Sequence, residues 1–429
     1  MRLKSSLPSF LKTFHLPQLE TSSRLSYLQF ALVGAYICGI LFSARLWFGL
    51  GRSFPRTPLV SEMPDFLSLA EYVLSLLLLA VLAYSFFSGR PTRYLVSVTI
   101  LTLLLVVLDL TRLQPWVYQY FLTLTVLAFL KSATTDANQT SVANSILFAN
   151  QLIVAFLYFW SGIQKLNWSF GNEVLPGLLE WAGIPVPASY LPYMSRMALA
   201  FAGGEALIGL ALIARRTRRI AVVLAVALHL AVLGLLVIAR NNSVVWPWNV
   251  AMIIIVVLLF WKFNGPLAEK LVWRPQGSNF TKHLPKAVIV ICGLAPALSF
   301  VGWWDLNLSG ALYSGNAPVP VIHISERIGE RLSVTARSQV FKTAQGESML
   351  PVYEWSMAEL NVPPYPEMRA FRQVGRPVCA YAENPLEVEL IVRERPLLID
   401  GSYTVTRLNC QHLSARLLSR GSEIKVKSF

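Results

Sequence analysis

Charge is scarce in this sequence. Asp, Glu, Lys and Arg make up 14% of 429 residues, against about 25% in soluble globular chains. Acids are scarcer still, 23 against 37 basic residues. With 55% of the residues hydrophobic, that deficit excludes an ordinary soluble domain and leaves a chain built for lipid. Histidine numbers five and cysteine four, and no His-Glu-x-x-His, Gly-rich phosphate loop or Gly-x-Ser-x-Gly elbow occurs. Metal, nucleotide and serine-hydrolase chemistry therefore have no motif to stand on. No internal repeat and no pair of broken helices is present, which weighs against a transporter.

What is present is a series of long apolar runs. A span needs about 17 to 25 mainly apolar residues. The runs 66–87, 94–111, Ile220–Ala239 and Val244–Trp261 meet that length, and 27–44, 116–130, 143–161, 196–214 and 287–303 follow. The expectation is an all-α polytopic membrane bundle of about nine transmembrane helices. It comprises a basic tail at 1–26, the bundle at 27–303 and a small β-rich domain at 304–429. The strand-like segments of that domain are Val319–Ile324, Leu332–Val340, Leu386–Val392 and Tyr403–Leu408, joined in part by the proline-rich Val362–Pro366.

A formal charge of +14 raises the question of nucleic acid, but the basic residues sit between the apolar runs and follow membrane topology instead. With the N-terminus cytoplasmic, the inner segments hold Arg2, Lys4, Lys12, Arg24, Arg90, Arg93, Lys131, Arg215, Arg216, Arg218, Arg219, Lys262, Lys270, Arg274, Lys282 and Lys286. The outer segments hold only Arg45, Arg52, Arg56, Arg112, Lys165, Arg196 and Arg240. This asymmetry puts the C-terminal domain outside, and the first helix is expected to serve as the insertion signal. Cys379 and Cys410 fall in that domain, where a disulfide and two free thiols both stand open. Cys38 and Cys292 read as small hydrophobes within spans. His323 and His412 read as surface groups on strand-like segments.

Ionisable groups inside spans are expensive and are default functional candidates. Glu205 and His229 lie near the middle of their helices; the bland reading is that they satisfy one another, or a backbone carbonyl, and merely lock two helices together. Asn144, Gln151, Tyr158 and Lys165 recur every seven residues, with Ser161 between the last two, along one helical stripe that would line a cavity. Lys165, among Trp160, Ile163, Leu166 and Trp168, is a candidate base if the apolar setting holds its amine neutral. A lysine that snorkels to the headgroups is the competing reading. Asp109, Arg112 and Gln114 cluster at a helix junction, either beside Lys165 or as a helix-capping ion pair. The stretch 162–195, rich in proline yet apolar, is expected to be re-entrant or interfacial.

The run Tyr158-Phe-Trp-Ser-Gly-Ile-Gln-Lys-Leu-Asn167 resembles the signature of the membrane domain shared by vitamin K-dependent gamma-carboxylases and their bacterial relatives, the HTTM family. The Gly-rich helix with Glu205, the basic turn at 215–219, the helix carrying His229 and the helix start Trp246-Pro247-Trp248 follow in the same order. The resemblance covers about 100–310. It implies a lysine base at Lys165 acting on a reduced quinone; together with the residue reading above, the expectation is that Glu205, His229, Gln151 and Tyr158 line or orient the site and that Asp109, Arg112 and Trp248 are further binding residues. It implies a bacterial inner-membrane protein whose partners are the bilayer and a quinone or lipid-like small molecule, not nucleic acid. Two positions depart from the pattern. Gln164 replaces a second lysine, and Gln114-Pro115-Trp116 stands where the carboxylases carry Asn-Asn-His, so glutamyl carboxylation itself is not implied. Residues 156–235 are also similar to the DoxX group of quinone-linked membrane proteins. The alternative function is a non-catalytic scaffold or assembly factor whose outer domain does the recognition.

Overall fold

The computed structural model describes residues 20–60, 67–88, 94–132, 136–262, 281–396, 398–414 and 422–426. Most of the basic tail and most of the 264–286 connection lie outside the described residues. Apolar runs too long for strands fold as helices: α1 (Thr21–Phe42), α2 (Leu67–Phe87), α3 (Leu95–Leu108), α4 (Pro115–Ala128) and α5 (Asp136–Gln164). They continue with α6 (Leu175–Trp181), α7 (Leu191–Ile213), α8 (Arg218–Ile238) and α9 (Val245–Phe260). A final segment, Thr281–Val301, mixes α, π and 3-10 turns.

Six of these are long and apolar enough to cross a membrane, and α3 and α9 are shorter apolar helices. The run at 116–130 folds as α4, whose 14 residues span only about 21 Å at 1.5 Å per residue. Tyr120, Leu124 and Leu127 of α4 are wholly buried, so protein and not lipid surrounds much of it. Of the about nine spans expected, the described residues thus show six helices of membrane-crossing length, with shorter apolar helices between them.

Two arginines cap helix ends at the face opposite the C-terminal domain. Arg24 donates to the carbonyls of Leu258 (2.6 Å) and Trp261 (2.9 Å), and Arg218 donates to Leu212 and Ile213 at 2.9 Å each. Carbonyls left over at a helix C-terminus favour such cations.

The C-terminal domain is mixed, not simply β-rich. An antiparallel sheet of order β2-β3-β1-β4-β5-β6 is built from β1 (Val319–Ile324), β2 (Phe341–Lys342), β3 (Ser348–Pro351), β4 (Val388–Arg393), β5 (Tyr403–Asn409) and β6 (Ser422–Val426). Alternating burial along β1 and β4 gives the sheet one covered face. The helices α10 (Val352–Leu360) and α11 (Met368–Val378) add Trp355, Leu360, Phe371 and Val374 to the core that holds Ile322 and Leu390. The strand expected at Leu332–Val340 is instead a helical turn, Val334–Arg337, because the Ser333 side chain accepts from the Ala336 amide and caps it. Val362–Pro366 is an extended link, as expected. Cys379 and Cys410 form a disulfide that ties the end of α11 to the end of β5.

The domain sits on one end of the bundle. Asn361 donates to the Phe42 carbonyl and the Ser243 hydroxyl at 2.9 Å each, and the buried Glu359 accepts from Phe54 N at 2.7 Å. Gln114 donates to the Pro363 carbonyl at 3.0 Å, and Arg393 pairs with Glu173 at 3.0 and 3.1 Å. The bundle residues in these contacts are Phe42 at the end of α1 and residues of the connections between helices: Phe54 after α1, Gln114 before α4, Glu173 between α5 and α6, and Ser243 between α8 and α9.

Candidate functional site

Helices α5 and α7 meet through small residues. A methyl group added at Gly162 would collide with the Ala206 backbone, and one at Gly209 would lie 2.5 Å from the Ala155 carbonyl oxygen. Such close backbone approach is the usual solution for helices in lipid, where dispersion contacts replace the hydrophobic drive. It also brings Lys165, the residue that follows α5, against Glu205 of α7.

The Lys165 ammonium donates to Glu205 Oε2 at 2.8 Å and Oε1 at 3.1 Å, and to Ser161 Oγ at 2.6 Å. Helical side chains lean toward the N-terminus, so Lys165 runs back over its own helix to Ser161. Its side chain is 12% exposed and that of Glu205 9%, and the snorkelling arrangement is not adopted.

A second polar chain lies beside the first. The Tyr158 hydroxyl and His229 Nε2 are 2.6 Å apart, and His229 Nδ1 lies 2.8 Å from Asn249 Oδ1. Asn249 Nδ2 donates to the Val245 carbonyl at 2.9 Å. Glu205 and His229 therefore do not bond each other; Glu205 takes Lys165, and His229 takes Tyr158 and Asn249.

Both chains face one cavity of about 340 Å³. Its walls are otherwise apolar: Leu157, Phe201, Leu228, Val232 and Leu235 from the helices, and Phe170, Leu175 and Leu178 from the segment after α5. Trp248 lines it too and donates its indole N–H to Gln119 Oε1 at 2.5 Å. Gly310, Leu312 and Tyr313, from the link into the C-terminal domain, close one end. The stretch 162–195 contains a π turn at Phe170–Val174 leading into α6, with Trp181, Ile184, Tyr190 and Tyr193 exposed.

Each polar position of the Gly-Ile-Gln-Lys-Leu-Asn run now has a physical role. Gly162 admits α7. Gln164, fully buried, donates to Ser299 Oγ at 2.8 Å and accepts from Asn316 Nδ2 at 2.6 Å. Asn167 accepts from the Phe170 amide at 2.8 Å and donates to the Gln164 and Ser314 carbonyls at 2.8 and 2.7 Å. It thereby fixes the turn that carries Phe170 over the cavity.

Three expected residues lie elsewhere. Gln151 donates to the Leu259 carbonyl at 2.6 Å, a helix-to-helix tie away from the cavity. Asp109 accepts from Arg52 at 2.6 Å and from Thr57 Oγ1 at 2.9 Å. Arg112 pairs with Glu71 and donates to the Leu105 and Leu46 carbonyls at 2.9 Å each. The Asp109, Arg112 and Arg52 side chains are wholly buried, so this is a sealed ion-pair cluster that fastens helix ends. Of the stripe, Asn144 meets Thr21 Oγ1 at 3.5 Å and only Tyr158, Ser161 and Lys165 reach the cavity. Asn249 was not singled out by sequence, although a lone amide in the apolar run Val245–Phe260 was a usable signal.

Among the described residues no group of three or more His, Cys, Asp and Glu side chains is arranged to hold a metal. No family model, curated protein or solved structure matches the chain.

Proposed function

We propose that this chain is a bacterial inner-membrane protein of the carboxylase-like HTTM class that binds a quinone or another lipid-soluble small molecule in the α5–α7–α8–α9 cavity. In this reading nine helices cross the membrane, the N-terminus is cytoplasmic and the C-terminal domain is outside, where its disulfide is stable. The observation that carries the proposal is the cavity itself. An apolar chamber of about 340 Å³ ends on two hydrogen-bonded polar chains, the combination that ligand sites for greasy molecules present.

Lys165 serves as the base. Its proton passes to Glu205, the acceptor already in contact, and the freed amine takes a proton from a ligand hydroxyl such as that of a reduced quinone. Tyr158 and His229 orient the ligand, and Trp248 packs against it. Extraction of the purified protein with organic solvent tests the reading: a quinone absorbance that co-purifies with the parent and disappears in a Tyr158→Phe/His229→Leu variant is expected. Equal yields from both reject it.

A non-catalytic scaffold is the competing reading, favoured by one specific observation. The Lys165–Glu205 pair is satisfied without any ligand and ties α5 to α7. A scaffold carries no co-purifying quinone and keeps its partner when Lys165 and Glu205 are replaced together by apolar residues.

A further inference from the structure

We infer that the cavity accepts an uncharged amphiphile bearing a hydroxyl head, admitted sideways from the bilayer; the inference rests on the cavity reading above and narrows its ligand class. Lys165 and Glu205 are the lining residues that carry charge, and they touch. Wherever their shared proton sits, the pair sums to zero.

The remaining ring, His229, is fixed by its neighbours. The Val245 carbonyl can only accept, so Asn249 turns Nδ2 toward it and offers Oδ1 to His229. His229 Nδ1 therefore carries the hydrogen and Nε2 accepts the Tyr158 hydroxyl. A second proton on this ring would be an uncompensated charge among Leu228, Val232 and Leu235. An anionic head entering the cavity finds no net positive charge and must face Glu205; a cationic head meets Lys165.

A hydroxyl fits what is left over. Ser161 Oγ accepts from Lys165, and its own hydrogen has no acceptor among the described residues. Tyr158 gives its hydrogen to His229 and keeps a lone pair. The two residues sit three apart on one helix face, so a single ligand hydroxyl can accept from Ser161 and donate to Tyr158. Entry is lateral because Phe201 of α7 and Ala231 of α8 line the cavity and are also exposed on the outside of the bundle.

Equilibrium binding of tritiated dodecanol, dodecanoate and dodecylamine to the purified full chain in lipid nanodiscs tests this. Saturable dodecanol binding is expected, weakened about fivefold by Ser161→Ala, the worth of one hydrogen bond, and abolished by Ala231→Trp at the rim. Dodecanoate or dodecylamine binding as tightly as dodecanol overturns the inference and leaves the cavity reading standing. Dodecanol binding indifferent to both substitutions also overturns it. Saturation by none of the three overturns the inference and the cavity reading together.

Discussion

Lys165 Nζ lies 2.8 Å from Glu205 Oε2, on a partner helix forty residues further along the chain. The two groups leave water together, and each is the other's compensation. Removing one alone strands a charge, which costs about 3 kcal/mol or more, whereas replacing both with apolar residues of similar volume is close to neutral. A double-mutant cycle on Lys165→Met and Glu205→Leu, read as thermal stability in detergent, is expected to give two large single effects and a much smaller double one. Additive effects would mean the pair is not formed.

The α5–α7 contact has its own test. Gly209→Val drives a branched side chain into the Ala155 and Phe159 backbone and is expected to destabilise by about 3 kcal/mol through overpacking. Gly203 and Gly204, one to two turns away on the same helix, have open space around them. Alanine there is expected to be neutral or stabilising by up to about 1 kcal/mol from helix propensity. The same melting measurement on the three variants checks the contrast.

These contacts mark how far the sequence could be read. Helices at the long apolar runs were legible from composition and length, and β1, β4 and β5 from alternation. The helical turn at Val334–Arg337 was not, because its apolar spacing mimics a strand and only the Ser333 cap decides it. Lys165, Glu205, His229, Tyr158 and Trp248 were legible as polar or aromatic positions in apolar runs, and they do share a cavity. Which group bonds which was not, since pairing depends on helix rotation. Asp109 and Arg112 illustrate the limit: their ion-pair partners, Arg52 and Glu71, come from other segments that no local spacing connects to them.

The disulfide between Cys379 and Cys410 closes a loop with a sequence separation of 31. Chain-entropy arithmetic puts its worth at about 3 to 4 kcal/mol. Reduction is expected to lower the melting temperature of the C-terminal domain, and mass spectrometry without reductant is expected to find Cys38 and Cys292 as the free thiols. Alkylation of Cys379 or Cys410 before reduction would contradict the pairing.

Glu387 supplies a pH-dependent contribution. Its carboxylate accepts from the Asn384 amide at 3.0 Å, the Glu383 amide at 2.7 Å and Arg327 at 2.9 Å, and these bonds hold it down to about 2 from an ordinary 4.5. A carboxyl depressed on folding stabilises fully above its unfolded value and loses that contribution as pH falls through the folded one. The melting difference between the parent and Glu387→Gln is expected to be constant above pH 4.5 and to close as pH falls toward about 2. A difference that persists unchanged at the acid end would contradict the assignment.

Occupancy of the cavity is the most direct test. A cryo-electron microscopy map of the protein purified in native lipid is expected to show elongated density between Phe201 and Ala231, its head within hydrogen-bond distance of Ser161 or Tyr158 and Lys165 turned inward on Glu205. A cavity collapsed onto its own side chains, with the Lys165 amine turned out to the headgroups, would contradict the account.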